Sequence, residues 1–156
     1  MPSVYIETTI PSYYHTHRTS VQALAWREQT RLWWDAHRHL YELCTSVVVL
    51  NELAEAPTAM ATPRLAMLTG LRSLDVSESV RTVVGVYLQH QLMPKAADED
   101  AYHVALASVY AIDWLLTWNC RHIANANKAR HLAVLNQRLG LHVPKLVTPY
   151  DLVAQV

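Results

Sequence analysis

Glycine is nearly missing from this chain, and phenylalanine is missing altogether: 156 residues include three Gly and no Phe. Gly70, Gly85 and Gly140 stand too far apart to spell GxGxxG, GxxxxGK[ST] or GxSxG. That removes glycine-loop nucleotide binding and the serine-hydrolase elbow from consideration. Cysteine is scarce too. Cys44 and Cys120 make neither a disulfide scaffold nor a CxxC or Cys/His zinc pattern, and a reducing cytoplasm is the expected setting. Neither sign of charge is in excess, with 13 Lys and Arg against 13 Asp and Glu, so the broad basic footprint of a non-specific nucleic-acid binder is absent. The N-terminus lacks a basic segment followed by a long apolar run, so a secretory signal is not expected. The longest apolar stretch, Val104 to Leu116, is interrupted by Asp113 and is too short to span a bilayer; no membrane association is expected.

What is present is 51% hydrophobic residues, with five Trp and eight Tyr to supply the bulk that Phe does not. A chain of this size buries roughly 70% of its unfolded surface, enough for a core without covalent staples. One domain spanning 1–156 is the simplest organisation.

Strand and helix patterns alternate. Val4–Thr8 reads as a strand, and Ser12–Thr19 after Pro11 as a polar, aromatic turn. A long helix is expected over Val21–Leu40, with Ala25, Leu32, Ala36 and Leu40 on one stripe. Tyr41–Thr45 reads as a strand, and Ser46 as the N-cap of a helix over Val47–Ala56. Helical pattern continues over Arg64–Leu71, followed by a strand at Leu74–Val76 and a Ser77-capped helix to Leu92. Asp98–Tyr110 reads as a helix with Asp98 as its N-cap, and Trp114–Thr117 as a strand. A helix over Asn125–Leu139 closes on Gly140, a strand follows at Leu146–Thr148, and a short turn at Tyr150–Val153. Strands separated by helices imply an α/β sandwich around a mostly parallel sheet. Ligands of such sheets bind beyond the carboxyl ends of the strands, where Glu7 and Asn119 fall.

Four oxygen-bearing side chains stand out. Glu7 ends the first strand. Glu52 shares a helical stripe with Val49, Leu53 and Ala56. Asp100 shares the inward face of its helix with His103, Val104 and Ala107, and Asn119 follows Trp114–Thr117. Each has an ordinary explanation alone: a turn carboxylate, a boundary residue, a first-turn acid favouring the helix dipole, or loop chemistry. Together they could converge, and converging carboxylates repel unless a cation joins them. That chemistry suits a divalent metal and phosphodiester cleavage. Thr8 and Asp98 are candidate supports, Arg121 and His122 candidate contacts to a substrate phosphate. His103 reads as a structural hydrogen-bonder rather than a ligand. Trp26, Trp33 and Trp34 read as packing; Trp118 borders the expected site, and Tyr13, Tyr14, His15 and His17 are a possible lip to it.

Three segments carry a resemblance. Val4-Tyr5-Ile6-Glu7-Thr8-Thr9-Ile10-Pro11-Ser12-Tyr13 resembles the opening of PIN-domain proteins, particularly VapC-type toxins. Asp100-Ala101-Tyr102-His103-Val104-Ala105-Leu106-Ala107 and Leu115 to Ala126 continue it, so that it covers about residues 3 to 150. The resemblance implies a three-layer α/β/α sandwich and a Mg²⁺- or Mn²⁺-dependent endoribonuclease. Carried over, Glu7, Glu52 and Asp100 match the first three acids, Asn119 the fourth, often acidic, position, and Thr117 a supporting hydroxyl. Glu7 and Asp100 would be the direct metal ligands. A cognate antitoxin and a homodimer are further implications. Two positions depart from the pattern: Glu7 is one methylene longer than the usual Asp, and Asn119 lacks a charge. Two other readings stay open, a PIN-like module that binds RNA or a protein without cutting, and a phosphohydrolase of small phosphoesters.

Overall fold

The computed structural model describes residues 1–154. Among these, five strands form one sheet: β1 Ser3–Ile6, β2 Glu42–Ser46, β3 Arg72–Leu74, β4 Trp114–Leu116 and β5 Lys145–Val147. The spatial order is β3-β2-β1-β4-β5, and every pairing is parallel. Parallel neighbours cannot be joined by tight hairpins, so each connection carries helix, and helices cover the sheet to make a three-layer α/β/α sandwich. The helices are α1 Thr9–Tyr14, α2 Val21–His37, α3 Val47–Ala54, α4 Thr58–Met67, α5 Glu78–Gln89, α6 Asp98–Val109, α7 Ala126–Leu139 and α8 Pro149–Val153.

Central β1 shows why a continuous apolar run suits this sheet. Val4, Tyr5 and Ile6 have no exposed surface, as a strand covered on both faces requires. From β1 the chain builds outward to β2 and β3, then returns to the opposite side of β1 as β4 and β5. The switch point thus lies between β1 and β4, where an open parallel sheet leaves a crevice beyond its carboxyl ends. Glu7 and Thr117 are the residues that immediately follow those two strands.

Side-chain caps start four of the helices. Ser20, Ser46, Ser77 and Asn125 accept from the backbone N–H of Ala23, Val49, Val80 and Lys128 at 2.9–3.2 Å. Gly140 closes α7 with φ +67°, a conformation that disfavours any side chain with a Cβ.

The structure corrects several expectations. Thr9–Tyr14 is a helix, because Pro11 occupies its first turn, where a missing N–H costs nothing. α4 begins at Thr58 and carries Pro63 within it. Strands β3 and β5 start earlier than their apolar residues suggest, at Arg72 and Lys145, since pairing with β2 and β4 sets their register. Along α2 the expected stripe is on the wrong face: Leu32 and Leu40 are 46% and 42% exposed, as are Ala25 and Ala36. The buried face is Ala23, Thr30, Trp33 and Trp34, because two adjacent Trp carry more apolar area than the two Ala and two Leu of the other stripe.

Candidate metal centre

Glu7 leaves β1 buried, with 3% of its surface exposed. Its Oε1 accepts from Thr9 Oγ1 at 2.5 Å, Thr117 Oγ1 at 2.6 Å and the Thr9 backbone N–H at 3.1 Å. Those donors all converge on Oε1; none engages Oε2. Each hydroxyl also accepts a backbone donor, Thr9 from Trp118 N at 2.8 Å and Thr117 from Asn119 N at 2.9 Å. The longer Glu side chain is thereby fixed by the turn that follows its own strand and by the end of β4. Burial raises the Glu7 pKa, and the opposing His103 charge and threonine hydrogen bonds do not cancel it.

Glu52, on α3, reaches the same region. Its Oε1 lies 2.7 Å from His103 Nε2, and His103 is 1% exposed. Burial works against the Glu52 charge, yet the His103 hydrogen bond and charge outweigh it and hold the pKa below the usual range. For His103, burial lowers the pKa; the Glu52 hydrogen bond and the Glu7, Glu52 and Asp100 charges overcome this and raise it. The second ring nitrogen, Nδ1, lies 2.8 Å from the buried Tyr5 hydroxyl, which lies 2.7 Å from Ser46 Oγ. One polar chain therefore runs from the α3 cap through Tyr5 and His103 to Glu52.

Ligand atoms of Glu7, Glu52 and His103 all lie within 4.8 Å of one another. Both His103 nitrogens already have partners, so the imidazole orients Glu52, and the carboxylates remain as metal donors. Asp100, half-buried on α6, lies near enough to feel the His103 and Glu52 charges, but its carboxylate is not among the ligand atoms that meet. Burial raises its pKa, and the Glu52 charge adds to this against the influence of His103, Asn119 and His122. Glu7 and Asp100 hold protons more tightly than usual, and beside a Glu52 kept ionised by His103 they make an oxygen donor set that fits a hard divalent cation.

The remaining candidates separate. Asn119 Oδ1 accepts from His122 N at 3.0 Å in the turn after β4, so its carbonyl is committed locally; its amide reaches Asp100 and lowers that group's pKa. His122 is near enough to act on Asp100, whereas Arg121 is exposed. Thr8 differs from expectation, since Thr9 and Thr117 hold Glu7. The Thr8 hydroxyl sits toward Glu52 and lowers its pKa, although the oxygen is buried without a well-formed hydrogen bond. Asp98 neither caps α6, which Ala97 precedes, nor enters the cluster; it is exposed in the first turn, where the dipole explains it.

Sequence reasoning missed Tyr5 and Ser46, whose polar atoms sit inside an apolar strand and at a helix cap and signal nothing alone. It also missed the acidic rim formed by Glu55 and Glu99, which line a 270 Å³ cavity with Glu52. Trp118 is packing after all. It is 3% exposed, stacks on Trp26 at 4.5 Å and donates from Nε1 to Thr30 Oγ1 at 2.7 Å. It thereby locks α2 against the end of β4.

No family model matches the chain, and no curated protein does. Solved structures do. A toxin-antitoxin complex from Klebsiella pneumoniae aligns with a TM-score of 0.57 at 15% identity, covering 94% of this chain and 98% of that one. FitAcB from Neisseria gonorrhoeae aligns at 0.56 and 13% identity, with the same coverage of each chain. VapBC2 from Rickettsia felis, solved with a DNA fragment from its promoter, aligns at 0.54 and 14% identity, again with that coverage. Nearly the whole chain thus superposes on nearly the whole of each neighbour, and its five-stranded parallel sheet within an α/β sandwich is the fold of the VapC PIN-domain structures.

Proposed function

We propose that this protein is a divalent-metal-dependent endoribonuclease, the toxin of a toxin-antitoxin pair. The observation that carries the reading is the Glu7–Glu52–His103 cluster at the switch point, its ligand atoms within 4.8 Å of one another, with Asp100 near enough to feel the Glu52 and His103 charges. Glu7 and Asp100 would hold Mg²⁺ or Mn²⁺, with Glu52 as a further ligand or the base that orients water. Such an ion supplies Lewis acidity toward the phosphate and the attacking water.

The chain's own residues do the rest. Thr9 and Thr117 fix Glu7 Oε1 and so aim its other oxygen. His103 keeps Glu52 ionised and therefore able to accept a proton from water. Asn119 steadies Asp100, and His122 stands beside it for a substrate phosphate; Arg121 offers a second, exposed contact. With Asn in the fourth place, the set carries three carboxylates, and one divalent ion balances it better than two. Unpaired RNA in the cytoplasm is the substrate class, since a splayed single strand can enter an open crevice. The structural neighbours are toxin-antitoxin complexes, which favours a protein antitoxin covering the acidic pocket, and a homodimer of this chain goes with that reading.

Purified protein incubated with total RNA and Mg²⁺ tests it. Cleavage should stop in EDTA, return with added metal, and disappear in Asp100→Asn with the melting curve preserved. Cleavage that survives chelation, or persists at full rate in Asp100→Asn, overturns the assignment. Metal binding without cleavage would instead favour a non-cutting PIN-like module.

A further inference from the structure

The chain is neutral as a whole, but its charge is segregated. At the far end of α1 from Glu7, two adjoining cavities of about 220 and 600 Å³ share His17, Met60 and Arg64. His15 and Arg31 line the first, Arg18 the second. Three arginines and two histidines therefore face one groove, and none forms an ion pair among the described residues. The acid at hand, Asp35, is taken by the Tyr14 hydroxyl at 2.8 Å.

This arrangement is costly without an anion. Burial and then the Arg18 charge lower the Arg64 pKa, and its Nε is buried with no acceptor. His15 is lowered by burial and by Arg31, Arg64 and His17. Other contacts hold the cations in place without neutralising them. Arg31 donates from Nε to the Tyr14 carbonyl at 2.9 Å and lies 5.3 Å over the Tyr14 ring. Arg18 lies 5.2 Å over the Tyr13 ring. Repelling cations fixed on aromatic faces, with guanidinium N–H groups left over, suit a chain of phosphates.

Position names the ligand. α1 starts at Thr9, which bonds Glu7, and ends at Tyr14, next to His15. Six helical residues span about 9 Å, so the groove opens within reach of a strand whose scissile phosphate lies at the acids. We infer that the His15–His17–Arg18–Arg31–Arg64 groove binds the phosphate backbone of single-stranded RNA beside the cleavage point. This inference rests on the nuclease reading for its substrate, but binding can be measured apart from cleavage.

The test uses the full chain in EDTA and a fluorescent single-stranded oligoribonucleotide, with anisotropy recorded across a salt series. Arg18→Gln is exposed and should not disturb folding; Arg18→Gln/Arg64→Gln goes further, with a thermal melt as control. Each lost phosphate contact should reduce the slope of log K against log salt by about 0.7 and weaken binding about fivefold at 0.1 M salt, so about 25-fold for the pair. Lys at both positions should restore most of the affinity and the slope. Wild-type affinity and slope in Arg18→Gln and in the folded double variant overturn the inference. So does polyglutamate binding as tightly as RNA with the same sensitivity, which would assign the groove to an acidic polypeptide. Should wild type with Mg²⁺ leave RNA intact while the double variant still loses RNA binding, the nuclease reading falls and the groove stands.

Discussion

Without a bound cation, the acid cluster should make the protein less stable as pH rises. Glu7 and Asp100 have pKa values raised from 4.5 and 3.8, and His103 one raised from 6.5. In each case the folded protein holds a proton that the unfolded chain releases. The stability these groups contribute is complete below their unfolded values and is lost as pH climbs through their folded values. Glu52 has the opposite sign: its pKa is lowered from 4.5, so its contribution fades only as pH falls below that. Metal-free protein should therefore be most stable near pH 5 and weaken toward pH 9. Each pKa unit on a buried group such as Glu7 or His103 is worth about 1.4 kcal/mol, or about 3–6 °C of melting temperature in a domain of this size. Half-buried Asp100 contributes less, because solvent screens it. The assay is a thermal melt in EDTA from pH 5 to 9, repeated with millimolar Mg²⁺ and with Glu7→Gln. Wild type should melt progressively lower across that range. Mg²⁺ should restore the melting temperature at the alkaline end, where a cation takes the place of the protons, and Glu7→Gln should flatten the curve. A melting temperature in EDTA that is level or rising with pH, or a Glu7→Gln curve as steep as wild type, refutes the charge tension on which the metal site is argued.

Three further outcomes follow from the same contacts. Tyr5→Phe removes the hydroxyl between Ser46 and His103 and should cost about 1–3 kcal/mol, with RNA cleavage falling as His103 loses its anchor; an unchanged melt and rate would show that the chain does not position Glu52. Asn119→Asp keeps an oxygen for the His122 N–H but adds a fourth carboxylate, so it should tighten Mg²⁺ binding in calorimetry and lower the stability of metal-free protein. Trp118→Phe deletes the Nε1 bond to Thr30. It should destabilise by about 1–3 kcal/mol while leaving chelator-sensitive cleavage in place, measured below the new melting temperature.

Much of the fold was legible because its signals are local. The helix starts at Ser46 and Ser77, the Gly140 terminus and the run Val4-Tyr5-Ile6 each declare themselves within a few residues. What was not legible depends on distant partners. The first residues of β3 and β5 are polar, Arg72 and Lys145, and belong to strands only because β2 and β4 pair with them. The α2 stripe failed for a related reason. Both faces carry apolar residues at helical spacing, and the burial of Trp33 and Trp34 in the core, together with the contacts of Trp26 and Thr30 to Trp118, decides which face turns inward. Within the site, strand ends and helix faces pointed to Glu7, Glu52 and Asp100. Which threonine would hold Glu7 could not be read, since that choice is made by the first turn of a helix that looked like a loop.

The two positions at which this chain departs from the pattern it resembles answer each other. A Glu after β1 carries its carboxylate one methylene farther than Asp would, and a mobile carboxylate makes a poor ligand. Here the extra length is taken up by α1 and β4: Thr9 and Thr117 both close on Oε1. The same two hydroxyls accept the backbone N–H groups of Trp118 and Asn119, so the turn that fixes Glu7 also fixes the fourth position. In that turn Asn119 Oδ1 faces the His122 N–H, away from the acids. An ionised Asp there would add its charge to three carboxylates of which two already have raised pKa values. Asn supplies the turn and steadies Asp100 without that charge. Glu7 and Asn119 thus form one local arrangement, an immobilised longer carboxylate beside a neutral turn, and on the proposed reading it would suit one divalent ion rather than two.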